Sequence, residues 1–175
     1  MRRNRKGKLE IMKTFIAIEQ PELLENIKYN LEKTNKMTVV GTAQNGIDCL
    51  NFFNQRTCDL LIIDLMLSEI DGIGVLKKLK EMNKQSFQKV ICITQFTNQT
   101  ICNMLEELGV TYCFKYPFDI QHFIQSTLYI TASEFQKTDL MDQDESEKYK
   151  KVKIENEITE ILHEVGIPAH IKGYM

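Results

Sequence analysis

Short apolar runs alternate along this chain with longer stretches in which apolar residues recur every three or four positions. The first pattern reads as buried strand and the second as amphipathic helix. Thr14–Ile18 is a strand run. Pro21–Lys33 follows as a helix, with Pro in its first turn and Leu23, Leu24, Ile27 and Leu31 at helical spacing. Thr38–Thr42 is a second strand, and Asn45-Gly46 leads into a helix carrying Leu50 and Phe53. Asp59–Ile63 is a third strand, apolar on both faces as a central parallel strand must be. Asp71-Gly72 opens a helix with Val75, Leu76, Leu79 and Met82 on its stripe. Val90–Ile93 is a fourth strand, and Ile101, Met104, Leu105 and Leu108 mark a helix stopped by Gly109. Thr111–Phe114 is a fifth strand. Asp119 caps a last helix that runs through Ala132 with Phe123, Ile124 and Leu128 facing inward.

Strands alternating with helices over 13–132 predict an α/β domain of (βα)5 type, a parallel five-stranded sheet with helices on both faces. In such sheets functional groups gather at the carboxyl ends of the strands. Outside that domain the texture changes. Residues 1–12 form a basic tail, with Arg2, Arg3, Arg5, Lys6 and Lys8 against Glu10, and Met12 offers a start alternative to Met1. Residues 133–152 read as a polar linker, acidic from Asp139 to Glu147. Within 153–175, Ile154, Ile158, Ile161, Leu162 and Val165 return to helical spacing before Gly166 and Pro168, as if another domain were opening.

Composition narrows the classes. Hydrophobic residues make up 43% and charged residues 26% of the 175, which is globular rather than disordered. A net charge of -2 gives no global field for nucleic acid or anionic membrane. No apolar stretch approaches the roughly 20 residues that span a bilayer, and no secretory signal is visible, so a cytoplasmic protein is expected. The five cysteines, Cys49, Cys58, Cys92, Cys102 and Cys113, contain no C-x-x-C pair and read as reduced thiols of the core. His163 and His170 lack partners for a zinc site.

Chemistry concentrates where the strands end. Asp64 stands just beyond Leu60–Ile63, Glu19 follows the first strand, and Thr94 closes the fourth. Carboxylates from two neighbouring strand ends can share a hard divalent cation such as Mg2+. An aspartate beside it can act as a nucleophile toward a phosphoryl donor. Asp64 with Asp71-Gly72 seven residues on, then Thr94, Gly109 and Pro117-Phe118-Asp119, resemble in their order the flavodoxin-like receiver domain of two-component response regulators. Asn45-Gly46, Leu60–Asp64 and the segment from Ile161 to Tyr174 are similar to the stage 0 sporulation protein A family, the last of these to the start of its DNA-binding domain.

The resemblance implies a phosphorelay response regulator controlling sporulation transcription, with Asp64 as phosphoacceptor and Thr94 as switch hydroxyl. Mg2+ would be held by Glu19, Asp64 and the Met66 carbonyl. A histidine kinase or phosphotransferase protein would be the partner, and strand four, helix four, strand five and helix five would form a homodimer face. Sequence-specific DNA binding is not expected of this chain, because the recognition helix of that family would lie further on. Several positions depart from the pattern. Two adjacent acids are usual after the first strand, and here they are Ile18-Glu19. Gln95 replaces the small residue after the switch threonine, and Ser68 replaces a proline. Counting from Gly109 to Pro117 puts Tyr116 at the usual lysine position, with Lys115 pointing to the opposite face by strand alternation. The same register puts Cys113 where an aromatic is usual.

With one carboxylate and one ammonium missing, Mg2+ binding is expected to be weak or absent and the phosphoacceptor site degenerate. The competing reading is a pseudo-receiver, a protein-interaction module that works without phosphorylation. An enzyme is not expected: Asp64-Leu65-Met66 lacks the second acid of a D-x-D phosphatase, and no Gly-rich loop follows the first strand.

Overall fold

The computed structural model describes residues 11–82 and 86–132. Ten elements alternate along them: β1 (Met12–Ala17), α1 (Pro21–Lys33), β2 (Met37–Ala43), α2 (Gly46–Gln55), β3 (Leu60–Asp64), α3 (Gly72–Glu81), β4 (Lys89–Thr94), α4 (Gln99–Glu107), β5 (Tyr112–Lys115) and α5 (Ile120–Ala132). The strands form one parallel sheet in the order β2-β1-β3-β4-β5. This is the (βα)5 arrangement that the hydrophobic pattern predicts. The first strand starts two residues earlier than expected, at Met12, whose backbone N–H donates to the Lys36 carbonyl at 3.0 Å. The linker assigned to 133–152, the helical segment of 153–175 and the tail up to residue 10 lie outside the described residues.

Two separate apolar layers flank the sheet. On one face Leu24, Ile27 and Leu31 of α1 and Phe123 and Ile124 of α5 pack on Ile16, Leu60, Ile62, Ile91 and Phe114. On the other, Phe53 of α2, Val75, Leu76 and Leu79 of α3 and Leu105 of α4 cover Phe15, Leu61, Ile63 and Cys92. Every residue of β3 is buried, which explains why that run carries no alternation. Three of the five thiols, Cys49, Cys58 and Cys92, lie in the core as expected, whereas Cys102 is exposed and Cys113 half-buried. Burial pushes the Cys49 and Cys58 thiols up to about 12, so both stay protonated.

Four helices begin with a side-chain cap. Asn45, Asp71, Asn98 and Asp119 each accept a hydrogen bond from a backbone N–H three residues on, at 2.8, 2.6, 2.9 and 2.8 Å. Each satisfies one of the orphan donors of a first helical turn. At the opposite, amino end of the sheet, Asp59 ties three strands together. It accepts from the Lys13 backbone N–H at 2.7 Å, and its carbonyl accepts from the N–H groups of Gln88 and Lys89, each at 3.0 Å.

Glycine is needed where α3 meets β3. A Cβ on Gly72 would come within 2.5 Å of the Asp64 carbonyl oxygen and 2.8 Å of the Leu65 Cα. The Gly72 N–H also donates to the Leu65 carbonyl at 3.2 Å. Gly72→Ala is therefore expected to cost about 1–3 kcal/mol through overpacking against backbone that cannot turn aside. Urea unfolding of the variant beside the parent chain measures it. A loss near zero would mean that α3 shifts freely against the end of β3.

Candidate functional site

Asp64 is the last residue of an otherwise apolar strand. Period-two alternation gives it the parity of Leu60 and Ile62, on the α1/α5 side. Only 9% of its surface is exposed. Its Oδ1 accepts from the Met66 backbone N–H at 2.8 Å, while Oδ2 takes no hydrogen bond among the described residues. Burial raises its carboxyl above the usual aspartate value. The Met66 N–H opposes that shift, and the negative charge of nearby Glu19 adds to it. Asp64 and Glu19 are therefore close enough to interact, and Glu19 itself is exposed just beyond β1.

Thr94 lies on the neighbouring strand, where the Asp64 and Ile93 positions are register partners. Its hydroxyl is buried and already engaged, donating to the Phe96 carbonyl at 2.9 Å and accepting from the Phe96 N–H at 3.2 Å. Sequence reasoning did not single out Phe96, which stands 63% exposed beside the site. Gln95 is exposed too.

Tyr116 joins the site through its backbone, whose N–H donates to the Thr94 carbonyl at 2.8 Å ahead of a cis bond to Pro117. Its half-buried ring packs with the α1/α5 layer and meets Phe118 edge-on at 5.6 Å between centroids. Ile18 has no exposed surface and belongs to the same layer. The two positions expected to lack charge are thus both occupied by apolar packing. Lys115 is exposed; it pairs with Thr94 in register and has the parity of Cys113, opposite to Phe114.

The loop after β3 is held by backbone rather than by proline. The Ser68 carbonyl accepts from both Gly46 (3.1 Å) and Ile70 (2.8 Å), with Glu69 between them at φ 65°. A side chain on Gly46 would collide with the Ile70 carbonyl. Asn45-Gly46 and Asp71-Gly72, quoted in the sequence as motif, are therefore the places where the α2 and α3 caps close on the site loop.

The donors near Asp64 suit a hard cation. Two carboxylates and the Met66 backbone carbonyl offer only oxygen, and Mg2+ commonly takes one or two carboxylates and keeps several waters. No group of three His, Cys, Asp or Glu side chains is placed to hold a metal among the described residues.

A model of the response regulator receiver domain matches residues 15–127. The chain belongs to that family. Solved receivers share its fold. The signal receiver domain of NarL from Mycobacterium tuberculosis is 16% identical with a TM-score of 0.63, over 71% of this chain and 99% of that one. The receiver domain of Francisella response regulator 1452 is 23% identical with a TM-score of 0.60, over 68% and 95%. The isolated receiver of RcsB from Salmonella enterica serovar Typhimurium, solved with a phosphomimetic, is 21% identical with a TM-score of 0.62, over 71% and 91%. This chain therefore carries the receiver domain of a two-component response regulator. Receivers are signalling modules whose partners are histidine kinases or phosphotransfer proteins. No described helix is long and apolar enough to cross a membrane.

The raised carboxyl of Asp64 has a stability consequence. Its folded value lies above its unfolded one, so the fold loses stability as pH rises through the ordinary aspartate value of 3.8 toward the folded value. Asp64→Asn removes that loss while keeping an acceptor for the Met66 N–H. The variant is expected to melt a few degrees higher than the parent at pH 7, with the gap closing in acid. Thermal unfolding across pH checks it; an equal gap at pH 3 and pH 7 would assign the gain to something other than ionisation.

Proposed function

We propose that the domain is a receiver of the stage 0 sporulation protein A type, acting in the cytoplasm, in which Asp64 accepts a phosphoryl group and Thr94 responds to it. The observation that carries the reading is a buried aspartate at the end of the central strand, with one oxygen fixed by the Met66 N–H and the other open to a donor. In this reading Oδ2 of Asp64 attacks phosphorus as the donor's leaving group departs. Thr94 then gives up its bond to the Phe96 carbonyl and donates to a phosphoryl oxygen. Mg2+ on Glu19, Asp64 and the Met66 carbonyl would neutralise charge on the phosphoryl oxygens. The sporulation assignment is supported by Asn45-Gly46, the Leu60–Asp64 strand and the resemblance of Ile161–Tyr174, and the face of β4, α4, β5 and α5 is the proposed homodimer surface.

The site is proposed to be weak. A single electrostatic contact to a charged transition state contributes about 3 kcal/mol, roughly 10²-fold in rate, and two such contacts are missing at Ile18 and Tyr116. That apolar packing also favours the second reading, a pseudo-receiver that recognises its partner without phosphorylation. Both readings meet in one labelling experiment. The parent chain with acetyl phosphate and Mg2+ is expected to form Asp64 adduct slowly by mass spectrometry. Tyr116→Lys should accelerate it about 10–100-fold, and Asp64→Asn should abolish it. Ile18→Asp is a poorer repair, because it puts a carboxylate into the apolar layer at a cost on the order of 3–5 kcal/mol. Parent labelling as fast as Tyr116→Lys would show that another cation, such as Lys115, already serves and that the site is not weak.

Metal binding gives a separate check. Mg2+ titration followed by the Met66 amide resonance is expected to show weak binding that falls at least roughly tenfold in Asp64→Asn. Undiminished affinity in that variant would place the cation away from Asp64.

A further inference from the structure

Asn45-Gly46 is the one Asn-Gly pair in the chain. With no side chain on the glycine to screen its backbone nitrogen, such a pair readily loses ammonia through a five-membered imide. In this fold every group that the reaction needs is already engaged. The Gly46 N–H donates to the Ser68 carbonyl at 3.1 Å, and Asn45 and Ser68 bridge as parallel partners. Asn45 Oδ1 accepts from the Asp48 N–H at 2.8 Å, and its Nδ2 donates to Asp48 Oδ2 at 2.9 Å. Gly46 is buried with the Ile70 carbonyl against it, which restrains any swing of its nitrogen. The nitrogen is thus held by residues 68–70, whose central Glu69 has φ 65°, a left-handed conformation that is costly for a residue other than glycine. The same loop begins at Asp64, whose Oδ1 is bonded to the Met66 N–H.

We propose that Asn45 is a deamidation site gated by the loop after β3, which blocks the reaction while it is closed on Gly46 and permits it on opening. Once released from Ser68, the Gly46 nitrogen attacks Asn45 Cγ. The Cγ–Nδ2 bond breaks, the Gly46 proton leaves with the amide as ammonia, and the ring closes as a succinimide. Water then opens that ring at either carbonyl, leaving aspartate or isoaspartate at position 45. Both products lose the Nδ2 donor and set a second carboxylate beside Asp48 Oδ2. Isoaspartate also lengthens the backbone ahead of Gly46 by a methylene, which carries the Gly46 N–H out of register with the Ser68 carbonyl. Modification therefore holds open the loop that admitted it. No step involves Asp64, so the proposal stands whichever reading of the carboxylate site holds.

The full chain is incubated in mildly alkaline buffer, folded and in urea, and each asparagine is followed by peptide mapping and mass spectrometry. Deamidation is expected at Asn45 ahead of every other asparagine, and more slowly in the folded chain than in urea. Glu69→Val puts a β-branched side chain into left-handed backbone and should speed the folded reaction several-fold, whereas Glu69→Gly relieves the turn and should slow it. Neither change alters a hydrogen bond of the Asn45 side chain. Deuterium exchange of the Gly46 amide should follow the same order. Far-UV circular dichroism checks that the variants fold; if Glu69→Val does not, Glu69→Gly decides, and a rate no lower than the parent's overturns the proposal. Equal rates in the parent and Glu69→Val, or a folded chain as fast as the chain in urea, would overturn it too. So would acceleration by Asp48→Ala with none by Glu69→Val, which would assign the protection to the side-chain bonds and not to the loop.

Discussion

The burial of β3 on both faces is the constraint on which the rest of the domain depends. A strand with no solvent face must be apolar throughout, and its first polar side chain can appear only where the sheet ends. Leu60–Ile63 meets that demand with no exposed surface, and Asp64 is the first residue past it. The same constraint explains the crowding around Asp64. Both layers of helices converge on the end of β3, so α3 must start against the Asp64 and Leu65 backbone, and only Gly72 fits there. A carboxylate held in that place is partly stripped of water, which is why its proton affinity rises.

Around that aspartate, polarity and packing have been exchanged. Ile18 and Tyr116 hand their side chains to the α1/α5 layer, together with Phe118, Phe114 and Phe123. The layer gains apolar contact area, and neither position brings a charge to the end of the sheet. Glu19 and the Met66 backbone remain as polar partners of Asp64, and Thr94 keeps its hydroxyl occupied on Phe96. Ile18 and Tyr116, which border Glu19 and Pro117 at the strand ends, thus belong to the core.

Much of this is legible in the amino-acid order, for identifiable reasons. Leu60–Ile63 and the spacing of Leu24, Ile27 and Leu31 reflect burial, which acts on every residue of an element at once. Asp71 and Asp119 are readable as caps because a cap is a local event between near neighbours. Asn98 escaped notice because the polar residues around it blur where α4 begins. The bond from Thr94 to Phe96 was hidden because strand-end threonines leave no pattern. The ring of Tyr116 and the exposed state of Cys102 depend on which residues other elements bring alongside, and no spacing within one segment carries that information.

The clasp made by Asp59 gives the sheet a mechanical polarity. At the amino ends of β1, β3 and β4, one residue gathers three strands through side-chain and backbone bonds. At the carboxyl ends each strand is tied only to its neighbour, through the N–H groups of Ile18 to the Ala43 carbonyl, Gly46 to Ser68, Leu65 to Ile93 and Tyr116 to Thr94. One end of the sheet is thus gathered on a single residue and the other is linked pairwise, and Asp64 sits at the pairwise end. From Asp64 the hydrogen-bonded path runs sideways, from Leu65 to Ile93 and on from Thr94 to Tyr116, at the end of the sheet away from Asp59.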